Sequence, residues 1–201
     1  MHLLVRETRG LDEAADAVDL GQSRADLAFL SLSDSDLGAL AASWSAQGQA
    51  APSLRLANLS RLRHPMSVDL YVEQVISGAR CIVIRLLGGL DYWRYGAEEI
   101  AHAARAQGIP LALLPGDGRE DARLAKLSTV DGATLARLDG FFAAGGPENM
   151  RRALDVMAHL AGLAPDHGLA PEPVPTHGVH LLDVPDVPGR PLAAIEADIL
   201  G

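Results

Sequence analysis

The sequence predicts an α/β fold: a mostly parallel open sheet of about five strands with helices on both faces, flavodoxin-like or Rossmann-like in arrangement. Three observations predict it. Apolar runs such as Leu27–Leu32 and Cys81–Ile84 suit strands buried on both faces, which read as continuous hydrophobic stretches rather than alternating ones. Segments of helical periodicity separate these runs, and the connections between them are short.

Taken in order, His2–Val5 reads as a first strand, followed by a polar, alanine-rich segment with room for a short helix. Asp19-Leu-Gly-Gln22 reads as a turn, and Leu27–Leu32 as the second strand. Ser33-Asp-Ser-Asp36 places a serine three residues before a carboxylate, the arrangement of a capping box, so a helix to about Gln47 is expected. Pro52 opens the third strand, Ser53–Leu59, which runs into the basic loop Arg61-Leu-Arg63-His64-Pro65. Ser67 is the expected cap of the next helix, in which Val68, Val72, Val75, Ile76 and Ala79 share one face.

The Cys81 strand ends at Arg85, and Gly88-Gly89 permit a tight turn. Tyr92, Trp93, Arg94 and Tyr95 crowd the start of a helix expected over Asp91–Gln107, with Gly108 as its left-handed cap. Leu111–Leu114 is the fifth strand and ends in Pro115-Gly-Asp117-Gly118. After a polar stretch, Asp131 caps a helix to about Ala144, and Pro147 opens a last helix that stops at Gly162. Residues 1–163 therefore read as one α/β domain. Seven of the twelve prolines lie beyond Ala164, so 164–177 reads as a linker and 178–201 as the start of a second α/β module.

The chain has 201 residues, with 17 basic and 26 acidic side chains and a formal net charge of −9. That balance opposes non-specific binding to nucleic acid or to an anionic membrane. Cys81 is the single cysteine and lies in an apolar run, which excludes a disulfide framework and a cysteine-based zinc site. No signal peptide or membrane span is legible, and a cytoplasmic location is expected.

In an open α/β sheet, ligands bind beyond the carboxyl ends of the strands, where strand order reverses. The residues expected on that rim are Asn58 and His64, then Arg85, Gly88 and Gly89, then Tyr92, Arg94 and Tyr95, with Asp117 beyond. Arg85 and Arg94, with Arg61 or Arg63, are candidate carboxylate binders because a guanidinium fork matches two oxygens. The tyrosines offer a flat apolar face with a hydroxyl at its edge. The competing structural reading keeps the aromatics as packing and pairs Arg85 with Asp34 or Asp117. Neither phosphate-binding glycine motif is present, nor G-x-S-x-G. His159, His167, His177 and His180 read as solvated linker residues, and no metal ligand or catalytic residue is assigned.

As a set, DLGQ from Asp19 with ADL from Ala25, PSLRLANLSRLRHPMSVDLYVE from Pro52, IVIRLLGGLDYWRYGAEE from Ile82, LALLPGD from Leu111 and LSTV from Leu127 resemble the N-terminal region of the CobN family. CobN is the large subunit of the aerobic ATP-dependent cobaltochelatase, and is similar to the large subunit of magnesium chelatase. The resemblance covers roughly residues 1–162. It implies a role in inserting Co²⁺ into hydrogenobyrinic acid a,c-diamide during cobalamin biosynthesis. In that family ATP is hydrolysed on the partner subunits CobS and CobT while the large subunit holds the tetrapyrrole. This chain is then expected to bind no cofactor of its own, with Co²⁺ and ATP belonging to the complete enzyme. Family members are several times longer, so a fragment or a natural short relative, inactive alone, is expected. The alternatives are a docking module for the rest of the chelatase or its ATPase subunits, and a free-standing small-ligand domain.

Overall fold

A computed structural model describes residues 16–48 and 51–173. The element order is β1 (Leu27–Ser31), α1 (Asp34–Ala46), β2 (Leu54–Asn58), α2 (Pro65–Gln74), β3 (Cys81–Leu86), α3 (Arg94–Gln107), β4 (Leu111–Pro115), α4 (Ala122–Leu127), α5 (Gly132–Ala144) and α6 (Gly146–Leu160). All strand pairs are parallel, in the order β2-β1-β3-β4. That is the flavodoxin-like order short of its last strand.

The described sheet has four strands rather than about five. Leu27–Leu32, Ser53–Leu59, Cys81–Ile84 and Leu111–Leu114 all become strands to within a residue or two, whereas the expected strand His2–Val5 lies outside the described residues. Where a fifth strand would pair with β4, the stretch Ser128–Val130 lies along its edge instead. Thr129 and Val130 donate to the Leu111 carbonyl, and the Ser128 and Thr129 hydroxyls accept from Leu113 and Leu111. Side-chain hydroxyls thus do the work of a strand backbone on an edge otherwise unpaired among the described residues. The opposite edge is covered as well: Gln22 donates to the Leu56 carbonyl and Arg55 to that of Ser23.

Alternate residues of each strand face opposite layers. Ala28, Leu30, Ile82, Ile84 and Leu113 pack with α2, α3 and α4, while Leu27, Phe29, Cys81, Val83 and Leu114 pack with α1, α5 and α6. Phe29 stacks on Phe142 with ring centroids 5.0 Å apart. Burial pushes the Cys81 thiol up to about 12, so it is a core side chain and not a nucleophile.

Three helix starts differ from expectation: α3 begins at Arg94 rather than about Asp91, because Leu90–Tyr92 forms a separate 3-10 turn and Trp93 breaks the run with φ −146°. Ser33 does cap α1, accepting from the Asp36 amide at 3.2 Å, but the Asp36 carboxylate turns away to the sheet instead of completing the capping box. α2 begins at Pro65 with His64 as its cap. Ser67 lies inside the helix, buried, and accepts from the Val18 amide. Pro65 has no amide to satisfy, so it suits the first turn better than Ser67 does.

Residues 164–173 form neither helix nor strand, yet they are held against α5 and α6. Asn149 exchanges two hydrogen bonds with the Glu172 backbone at 2.7 and 2.8 Å. Arg152 donates to the Ala170 carbonyl, and Arg137 to that of Leu169 and to Asp166. The expected module from Gly178 lies outside the described residues.

Candidate functional site

The sheet register sets Asn58, Ser31, Arg85 and Leu114 in one row across the carboxyl ends of the strands. The chain leaves β1 toward β2 and later leaves β3 toward β4, so the loops after β1 and β3 diverge and open a crevice between them. Two adjoining hollows occupy this place. One, of 470 Å³, is lined by Leu59, Arg63, Tyr92, Trp93, Arg94 and Tyr95 among others. The second, of 490 Å³, is lined by Asp34, Asn58, Ser60, Arg63, Leu87 and Gly88 among others. Leu32, Arg63 and Tyr92 belong to both, which makes them the shared wall.

The floor is rigid for identifiable reasons. Trp93 is buried and donates its indole N–H to the Leu62 carbonyl at 2.8 Å, tying the loop after β2 to the start of α3. Leu59 and Leu62 are buried on either side of that tie. Asn58 holds the same loop from its other end, accepting from the Ser60 amide and donating to Asp34 at 2.7 Å. Gly88 and Gly89 carry φ of 87° and 74°, values that an L side chain adopts only with strain. The following Leu90 amide is fixed by the Asp121 carboxylate.

The expected rim residues divide into three groups. Asn58, Gly88, Tyr92, Arg94 and Tyr95 come together around the hollows. Arg85 lies beneath the rim: its guanidinium bonds both Asp36 oxygens at 2.9 and 2.8 Å and lies over the Phe142 ring, so its partner is neither Asp34 nor Asp117. Ser31 donates to the same Asp36 carboxylate. Gly89, His64 and Asp117 line neither hollow. His64 Nδ1 accepts from the Met66 amide, capping α2, and Asp117 closes its own loop by accepting from the Arg119 amide.

Charge on the rim is largely paired. Arg94 is bound by Asp91 and faces Glu98 at 3.7 Å. Arg123 joins Asp91 and Asp121. Arg94 and then Arg123 hold the Asp91 carboxyl below its usual range, and Arg123 does the same to Asp121 more strongly. Tyr95 donates to Asp69 at 2.7 Å, and that bond pushes its phenol up to about 12, keeping the proton on the oxygen. Arg63 is the exception. Half-buried in the shared wall, it makes no hydrogen bond or ion pair among the described residues. The basic loop was visible in the sequence, but nothing there separated Arg63 from Arg61, which lines neither hollow.

Among the described residues, no three His, Cys, Asp or Glu side chains gather as ligands for a metal ion, and no helix is long and apolar enough to cross a membrane. No family model matches the chain. Over 160 residues, 80% of its length, it is 41% identical to the aerobic cobaltochelatase subunit CobN of a Sinorhizobium species.

The chain is related to CobN. The Pseudomonas aeruginosa CobN subunit is 40% identical over 149 residues, 74% of the chain. The catalytic subunit of cobaltochelatase from Mycobacterium tuberculosis matches in structure with a TM-score of 0.59, at 29% identity over 77% of the chain. The chain spans 12% of the length of each of these three CobN-type relatives. The CobN resemblance carried by the blocks from Asp19 to Val130 is thereby borne out.

Proposed function

We propose that this chain serves as part of the large subunit of an aerobic cobaltochelatase, and that the crevice above β1, β2 and β3 holds one edge of hydrogenobyrinic acid a,c-diamide. The observation that carries the reading is the pair of hollows sharing Arg63 and Tyr92 at the point where strand order reverses. A corrin precursor is a large flat apolar ring with carboxylates around its margin. Tyrosine faces suit the ring and a guanidinium suits the margin.

Each hollow is at the lower end of the roughly 300–1,000 Å³ of small-molecule sites. The crevice therefore grips an edge of the macrocycle, and its other surfaces are left for the remainder of the large subunit. Co²⁺ is the substrate ion of the complete enzyme. Its insertion and the hydrolysis of ATP on CobS and CobT are assigned to that assembly and not to residues of this chain.

Titrating the protein with hydrogenobyrinic acid a,c-diamide, followed by the ring's absorbance, tests this. Saturable binding that weakens several-fold in Tyr92→Ala is expected. A linear, unsaturated response up to millimolar ligand overturns the reading.

A second reading is favoured by the exposure of Met66 at 58% and Leu87 at 49% beside the crevice. In it, the same rim docks another part of the chelatase or its ATPase subunits. Retention of CobS or CobT by the immobilised protein, lost in Met66→Asp with Leu87→Asp, is its expected result.

A further inference from the structure

We propose that Arg63, rather than Arg85 or Arg94, is the residue that takes a carboxylate of the ligand, and that it fixes which edge of the ring enters the crevice. The inference rests on the reading of the crevice as a tetrapyrrole site and deepens it by naming the recognition group.

Three observations carry it. The first is the pairing of the competing cations. Arg85 has both oxygens of Asp36 within 2.9 Å, and Arg94 lies between Asp91 and Glu98. A carboxylate arriving at either meets one already in place, whose repulsion offsets much of the gain in charge pairing. Arg63 has no such occupant among the described residues.

The second is placement. Arg63 lies in the wall common to both hollows, beside Tyr92, so one residue is within reach of an anion entering from either side. The third is preorganisation. Its neighbours on the chain are fixed: Leu62 is buried with its carbonyl bound by Trp93, and His64 caps α2. A cation on a fixed backbone loses less freedom on binding than one on a mobile loop. An arginine without a carboxylate partner among the described residues, half-buried and beside two tyrosines, has the character of a reserved anion site.

The chemistry sets the specificity. A planar guanidinium makes two parallel N–H···O bonds to a carboxylate, which a primary amide or an ester cannot accept with the same charge assistance. Arg63 therefore favours a free acid over an amidated or esterified side arm at that position of the ring.

The test uses hydrogenobyrinic acid a,c-diamide and its fully methyl-esterified form as probes of the full chain. Arg63→Met is expected to weaken binding of the acid about tenfold or more and to leave binding of the ester within about twofold. Arg63→Lys, which keeps the charge and loses the fork, is expected between the two. Arg61→Ala removes the same charge two residues away and is expected to change neither affinity. Wild-type affinity in Arg63→Met overturns the assignment while leaving the site reading intact. Equal losses in Arg61→Ala and Arg63→Met overturn it in favour of general electrostatics. Equal losses for acid and ester overturn it in favour of packing. No binding to wild type removes the site and Arg63's role together.

Discussion

At the scale of single residues, Gly96 shows how closely the crevice floor is built. It lies in the first turn of α3 and is buried. A Cβ placed on it would overlap the six-membered ring of Trp93. Alanine normally gains up to about 1 kcal/mol over glycine inside a helix, and less in the first turn, where intrahelical bonding is incomplete. Overpacking a fixed indole costs about 1–3 kcal/mol. The indole cannot step aside freely, because its N–H is held by the Leu62 carbonyl. Overpacking therefore wins, and Gly96→Ala is expected to lower stability by about 1–2 kcal/mol. It is also expected to shift the tryptophan emission as the indole is displaced. A urea midpoint equal to or above that of the unmodified chain would show that the floor yields, and that its rigidity is not a property of this contact.

At the scale of elements, the segment 164–173 behaves as part of the domain. Asn149 gives the Glu172 backbone one donor and one acceptor, as a neighbouring strand would, and Pro171 sits against Gly140, where a Cβ would meet its ring at 2.7 Å. Asn149→Ala is expected to free this segment, so that thermolysin cuts at Leu169 at least several-fold faster, as read by mass spectrometry, while the helical circular dichroism is kept. Unchanged cleavage would mean that the arginine contacts suffice. Acid acts in the same direction. Arg137 and the Gly168 amide hold the Asp166 carboxyl below its ordinary 3.8. That stabilisation is complete above the ordinary value and is lost as pH falls through the depressed one.

These elements also show what sequence can and cannot carry. β1, β3 and β4 were legible because burial on both faces leaves an unbroken apolar run, whereas the half-buried β2, with Arg55 in it, was marked by Pro52 before it and the basic loop after it. The six-residue helix Ala122–Leu127 was not legible, being too short for a periodicity to stand out from the polar stretch around it. The edge role of Ser128 and Thr129 depends on strand residues 15 and 18 positions away, which no local pattern records. The same holds for the candidate site. The tyrosine and arginine cluster drew attention by its composition, but which of its arginines are paired among the described residues is decided by Asp36, Asp91 and Glu98, partners supplied partly by other elements.

At the scale of the whole molecule, the crevice and the net charge act against each other on an anionic ligand. A formal charge of −9 repels a carboxylated ring at long range, whereas the proposed bond to Arg63 acts only at contact. Salt separates the two. Between about 10 mM and 150 mM the screening length falls from about 30 Å to about 8 Å, which removes most of the long-range repulsion while leaving a half-buried contact comparatively unscreened. The association rate for hydrogenobyrinic acid a,c-diamide is therefore expected to rise over that range. Electrostatic steering by a basic surface would make it fall. The dissociation rate, set by the contact, is expected to change less. Stopped-flow absorbance at three salt concentrations measures both. An association rate that falls steeply with salt would place the ligand in a positive field that this crevice does not generate, and so at another face of the molecule. A rising rate in the unmodified chain, with a dissociation rate that increases about tenfold in Arg63→Met, would separate the two scales. The surface charge would then govern the encounter, and the Arg63 guanidinium would hold the ligand once it arrives.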